Sequence, residues 1–142
     1  MTESDISREP WALWKIGIVA AVVSALANLV LMLVTRSSVA VPEGFGPFGV
    51  IPIILWSFIG AFGAIGVYAL LRKMSKSPNR NFTIAAVIVL LLSFIPDLAL
   101  AYVSEGPLGG ATTGAIIVLM FMHVISFFIV VPMLRSLANE SV

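Results

Sequence analysis

The chain contains no cysteine and a single histidine, His123. The first absence removes disulfides, thiolate metal ligation and a thiol nucleophile; the second removes a multi-histidine metal site within one copy. Charge is also scarce: 11% of the 142 residues are Asp, Glu, Lys or Arg, against about 25% in an ordinary soluble domain. So few charges cannot cover a water-facing surface. With a net charge of +1 and basic residues gathered beside apolar segments, the chain has no extended cationic stripe for nucleic acid. It also lacks a P-loop, a zincin motif, a glycine-rich dinucleotide turn and a nucleophile elbow, so the familiar catalytic templates have no foothold.

What remains is apolar: 60% of residues are hydrophobic and the mean hydropathy is +1.10. The apolar residues fall in blocks of about 20, the length that crosses ~30 Å of hydrocarbon at ~1.5 Å per residue. The expectation is an all-α integral membrane protein, with spans at about 13–34, 50–71, 82–103 and 112–134. Short connections join antiparallel neighbours, which makes residues 11–137 one four-helix up-down bundle between polar tails at 1–10 and 138–142. Trp11 and Trp14 read as interfacial aromatics before the first span. A cleavable signal ending near Ser38-Val39-Ala40 is the competing reading. The apolar run from Ile16 to Val34 is too long for it and the first residues are not basic, so a retained helix is expected.

Thr35 to Gly49 carries Pro42, Gly44, Gly46, Pro47 and Gly49, a loop composition, with Phe45 and Phe48 among them. The loop is expected to rest on the headgroups; the alternative is that its phenylalanines cover the mouth of the bundle. In span two, Gly60, Gly63 and Gly66 drift only ~60° per step around the helix and form a small-residue face for helix packing. Arg72, Lys73, Lys76 and Arg80 crowd the next linker. With four spans that linker shares a side with both termini, which together hold Arg8, Lys15, Arg72, Lys73, Lys76, Arg80 and Arg135; the other side holds Arg36. Seven cations against one place both termini in the cytoplasm.

Four polar side chains stand out inside the spans: Asn28, Ser93, Asp97 and His123. Helical rise puts Asn28 and Asp97 ~21 to 23 Å above the inner surface, in the outer half, and His123 near the middle. Side chains lean toward the N-terminus of their own helix, so Asn28 and Asp97 lean inward while His123 leans outward. The expected contact is Asp97 with His123, with Asn28 as third partner and Ser93, Ser24 and Ser126 one turn away. Pro96 removes an amide, frees the carbonyl of Leu92 and favours a kink beside the acid. An intramembrane acid is costly and marks a candidate site, although hydrogen bonds that merely fix helix register would use the same residues.

Asn28, the block from Leu55-Trp56-Ser57 to Leu70-Leu71-Arg72, Ser93-Phe94-Ile95-Pro96-Asp97, and Met122-His123 followed by Pro132-Met133-Leu134-Arg135 together resemble one family. It is a family of small four-span bacterial membrane proteins, the domain of unknown function numbered 6069. The resemblance covers most of the chain beyond the first tail and implies a four-helix fold in a bacterial-type inner membrane. It implies no activity.

Three readings of function follow from the residues. In the first, Asn28, Ser93, Asp97 and His123 line a binding or transport site, open to the outer half of the bilayer, for a proton, a cation or a small amphiphile. A bundle this small would then work as a homodimer through the glycine face. In the second, the chain is a structural or accessory subunit of a larger membrane-protein partner. In the third, Asp97 and His123 exchange protons with a lipid or isoprenoid substrate. No metal site is suggested and no cofactor is identified; a lone histidine can serve as an axial haem ligand, but no attachment motif accompanies it. Orientation is directly testable because the chain offers a cysteine-free background: Ser77→Cys should resist an impermeant thiol reagent added outside intact cells, and labelling there would reverse the assigned sidedness.

Overall fold

The computed structural model describes residues 9–136, with side-chain surroundings from Leu13 onward. Residues 1–8 of the expected first tail, the whole expected tail at 138–142 and the side chain of Trp11 lie outside that description, while Glu9 and Pro10, expected in the tail, already belong to the first helix. The described residues form four helices: α1 (Glu9–Thr35), α2 (Val50–Met74), α3 (Pro78–Ala99) and α4 (Thr113–Ser136). Two 3-10 turns accompany them, Gly46–Phe48 before α2 and Leu100–Tyr102 after α3. All four helices are long and apolar enough to cross a membrane, the make-up of a transmembrane protein.

Local chemistry explains the helix limits. Pro52 falls in the first turn of α2 and Pro78 opens α3, positions where a missing amide costs little. At its other end α2 carries Arg72 and Lys73 in the last turn, where cations complement the helix dipole. The basic linker is therefore shorter than the sequence suggests, since these two residues ride on α2 and Arg80 rides on the first turn of α3. This region is called the basic end below, and the opposite side the loop end.

Helix α1 packs against α2 and α4, and α3 packs against α4 and, less extensively, α2. Consequently α1 and α3 occupy opposite corners. The buried stripe of α1 is made of small residues: Ala20, Ala21, Ser24 and Ala25 are all buried, and a Cβ at Gly17 would collide with the Ile65 side chain. Spacings of three and four place these residues on one stripe with Asn28. Gly60, Gly63 and Gly66 take no part in this seam, because nothing lies within 4 Å of a Cβ added at any of them. The buried face of α2 is instead Ile53, Ser57, Ala61, Ile65 and Tyr68. The glycine face is thus open in the structure, with the described helices packed elsewhere.

The interior has two clusters. At the basic end Leu13, Ala61, Ile65, Tyr68, Phe82, Val130 and Leu134 pack together, with the Tyr68 and Phe82 rings edge to face at 5.0 Å. At the loop end Phe45 and Phe48 are buried among Met32, Ile53, Ala115, Val118, Leu119 and Met122. The expected headgroup-resting loop is thus replaced by the alternative: its phenylalanines fill the end of the bundle. The physical reason is a cross-tie between loops. Gly46 donates its amide to Pro107 O at 2.7 Å, a close approach in which a Cβ at Gly46 would stand 3.0 Å from that oxygen. Thr112 Oγ1 donates to Ala40 O, a second tie between the same loops.

Helix α3 is the least embedded. Only 6% of its apolar window is buried, against 39% in α1 and in α4, and its buried residues are Phe82 and Asp97. Phe48→Ala should cost about 3–5 kcal/mol as a cavity at the loop end, whereas Trp56→Ala, on the outer face of α2, should stay within ~0.5 kcal/mol. Unfolding in SDS-containing mixed micelles separates the two.

Candidate functional site

Asp97 reaches α4 from the last turn of α3. It is 7% exposed, and its Oδ2 lies 3.1 Å from His123 Nδ1. The same nitrogen stands 3.0 Å from the carbonyl oxygen of Leu119, one turn back along α4. A carbonyl only accepts, so Nδ1 carries the hydrogen and directs it there. Asp97 Oδ2 consequently sits at ion-pair distance without an in-line donor, a buried acceptor not fully met. In the neutral ring Nε2 is left as another acceptor. The His123 side chain is 40% exposed, so this pair has one wet or lipid-accessible flank and one enclosed one.

Asn28 lies in a second cluster. Its Nδ2 donates to Ser57 Oγ at 3.3 Å and to Ser126 Oγ at 3.0 Å, so one amide ties α1 to both α2 and α4. Its Oδ1 is buried and accepts nothing, and Ser24 Oγ, one turn away on the same stripe, is likewise buried and unpartnered. Such groups are held in place by surrounding packing, since leaving a buried polar atom unmet costs about 1–3 kcal/mol.

The sequence-predicted pairing of Asp97 with His123 is present. Asn28 is not the third partner: α1 and α3 stand at opposite corners, and Asn28 bonds the nearer serines instead. Ser93 also stays apart, with its hydroxyl returned to the Leu90 carbonyl at 2.6 Å, the back-bond that serines make inside helices. Ser126, three residues beyond His123 on α4, links the two polar groups along one helix. Ser57 was not singled out as a polar contact by sequence reasoning. Its signal was position, in register with Ile53, Ala61 and Ile65 on the buried face of α2.

Among the described residues no three His, Asp or Glu side chains converge as metal ligands. At the loop end a cavity of about 520 Å³ is walled by Arg36, Glu43, Phe45 and neighbouring loop residues, and the polar groups of the spans are not among its walls. This cavity is therefore separate from the Asp97–His123 pair.

Removing the Asn28 amide should cost roughly 0.6 to 2 kcal/mol, the range for hydrogen bonds between membrane helices. A cycle of Asn28→Ala, Ser126→Ala and the double variant, read by unfolding free energy, should give a coupling of that size. Additivity would mean that the bond contributes nothing to stability.

No curated protein and no solved structure matches the chain. The family model described as a family of unknown function, DUF6069, does match, over residues 8–140. That span includes all four helices, both polar clusters and both loops, and the chain belongs to the DUF6069 family.

Proposed function

We propose that this membrane protein is a binding or transport module whose Asp97–His123 pair takes up a proton or the donor-bearing, cationic head of a small amphiphile. The observation that carries this reading is the carboxylate oxygen of Asp97, buried and without an in-line donor beside a half-exposed imidazole. The unmet atoms are acceptors: Asp97 Oδ2, Asn28 Oδ1 and, in the neutral ring, His123 Nε2. Their chemical complement is a proton, an ammonium or a hydroxyl. Because aromatic side chains fill the loop end, the exposed flank of His123 opens on the perimeter of the bundle, which favours entry from the bilayer. Seven of the eight cations at the basic end and the termini favour a bacterial inner membrane with both termini cytoplasmic.

A second reading, an accessory subunit of a larger membrane complex, draws on a different observation. The Gly60, Gly63 and Gly66 face is open to close approach by another helix. Gly63→Leu should then break a stoichiometric assembly that Asp97→Asn leaves intact.

For the first reading, melting of the protein in lipid nanodiscs should shift between about pH 5 and 8, the range in which histidine changes charge. Asp97→Asn and His123→Gln should each flatten that response. A wild-type melting temperature indifferent to pH, with no small molecule co-purifying by native mass spectrometry, would remove the basis for this function.

A further inference from the structure

At the basic end, the start of α3 and the end of α4 enclose a cavity of about 300 Å³ walled by Asn79, Pro132, Arg135 and Ser136. We infer that this cavity seats the phosphodiester head of an anionic phospholipid.

Its polar walls present donors. Tyr68, fully buried at the neighbouring face of α2, donates its hydroxyl to Asn79 Oδ1 at 2.8 Å. That bond fixes the amide with its oxygen spent, leaving Nδ2 as the group Asn79 can offer to the cavity. The Ser136 hydroxyl donates to the Met133 carbonyl at 2.7 Å and so is not offered to the cavity. Arg135 supplies the planar fork that suits phosphate oxygens, and it lies within electrostatic reach of the Tyr68 hydroxyl that holds Asn79. Ser77 gives the first turn of α3 no side-chain cap, so the positive pole of that helix adds to the field.

A lipid is favoured over free phosphate by the fourth wall and by position. Pro132 is apolar and exposed, and the cavity opens where the apolar surfaces of α3 and α4 end. A headgroup can occupy it while acyl chains run along the helices. Basic pockets between membrane helices on the cytoplasmic side are suited to such headgroups. Among the described residues no carboxylate is in the cavity walls, whereas the walls of the loop-end cavity include Glu43 as well as Arg36.

The test uses the full chain in nanodiscs containing equal amounts of phosphatidylcholine and phosphatidylglycerol, with retained lipid read by native mass spectrometry. Wild-type protein should retain phosphatidylglycerol selectively, and Arg135→Gln should lower that retention about fivefold. Asn79→Asp is a second variant that keeps the acceptor for Tyr68 while placing a negative charge in the cavity, and it should lower retention at least as much. Arg36→Gln, which removes a cation at the loop end, should leave retention unchanged. Unaltered retention in both cavity variants, or an equal loss in Arg36→Gln, would overturn the assignment. Equal stabilisation of wild-type protein by millimolar inorganic phosphate in pure phosphatidylcholine discs would overturn its lipid character.

Discussion

The contact between Asp97 and His123 holds the least embedded helix to the rest of the molecule. Helix α3 buries little of its apolar window, and its enclosed residues are Phe82 near one end and Asp97 near the other. Phe82 meets the Tyr68 ring and Asp97 meets the His123 imidazole. Between them Ala86 touches the core, and Ile84, Ile88, Leu91 and Ile95 face outward. A soluble bundle could not tolerate so much uncovered apolar surface, but hydrocarbon is as good a solvent for those side chains as a neighbouring helix. What α3 gains from the bundle is therefore orientation more than burial.

That division separates the two polar groups by purpose. Asn28 is a junction: it bonds Ser57 and Ser126 and so joins α1, α2 and α4 at one depth. The Asp97–His123 pair joins α3 to α4 and keeps an exposed flank. The more enclosed junction suits register, whereas a half-open pair containing an acid can also exchange something with its surroundings. The pair is accordingly the better candidate for function, with the junction beneath it keeping α4 in place.

Much of this was legible in the chain. Blocks of apolar residues gave four helices because lipid demands length and internal hydrogen bonding, and both are written in composition. The Asp97–His123 contact followed from depth and side-chain lean, which depend on helical rise alone. Placing Asn28 beside Asp97 failed because depth does not say which helices are neighbours, and α1 lies diagonally opposite α3. Gly60, Gly63 and Gly66 drew attention as glycines, while the stripe that packs, from Gly17 through Ala21 and Ser24 to Asn28, is mostly alanine and serine. Phe45 and Phe48 were ambiguous because loop composition is blind to the hydrogen bond from Gly46 to Pro107 that turns them inward.

The sparse attachment of α3 has a consequence for how sequence variation is distributed along it. Residues whose side chains meet only acyl chains answer to hydrophobicity and not to shape, so Ile84, Ile88, Leu91 and Ile95 are interchangeable with one another's chemistry. Phe82 and Asp97 have partners of fixed geometry and are not. The structural information in this helix is thus concentrated on its inward side, at Phe82, Ala86 and Asp97, and drift among the outward residues would leave the architecture untouched.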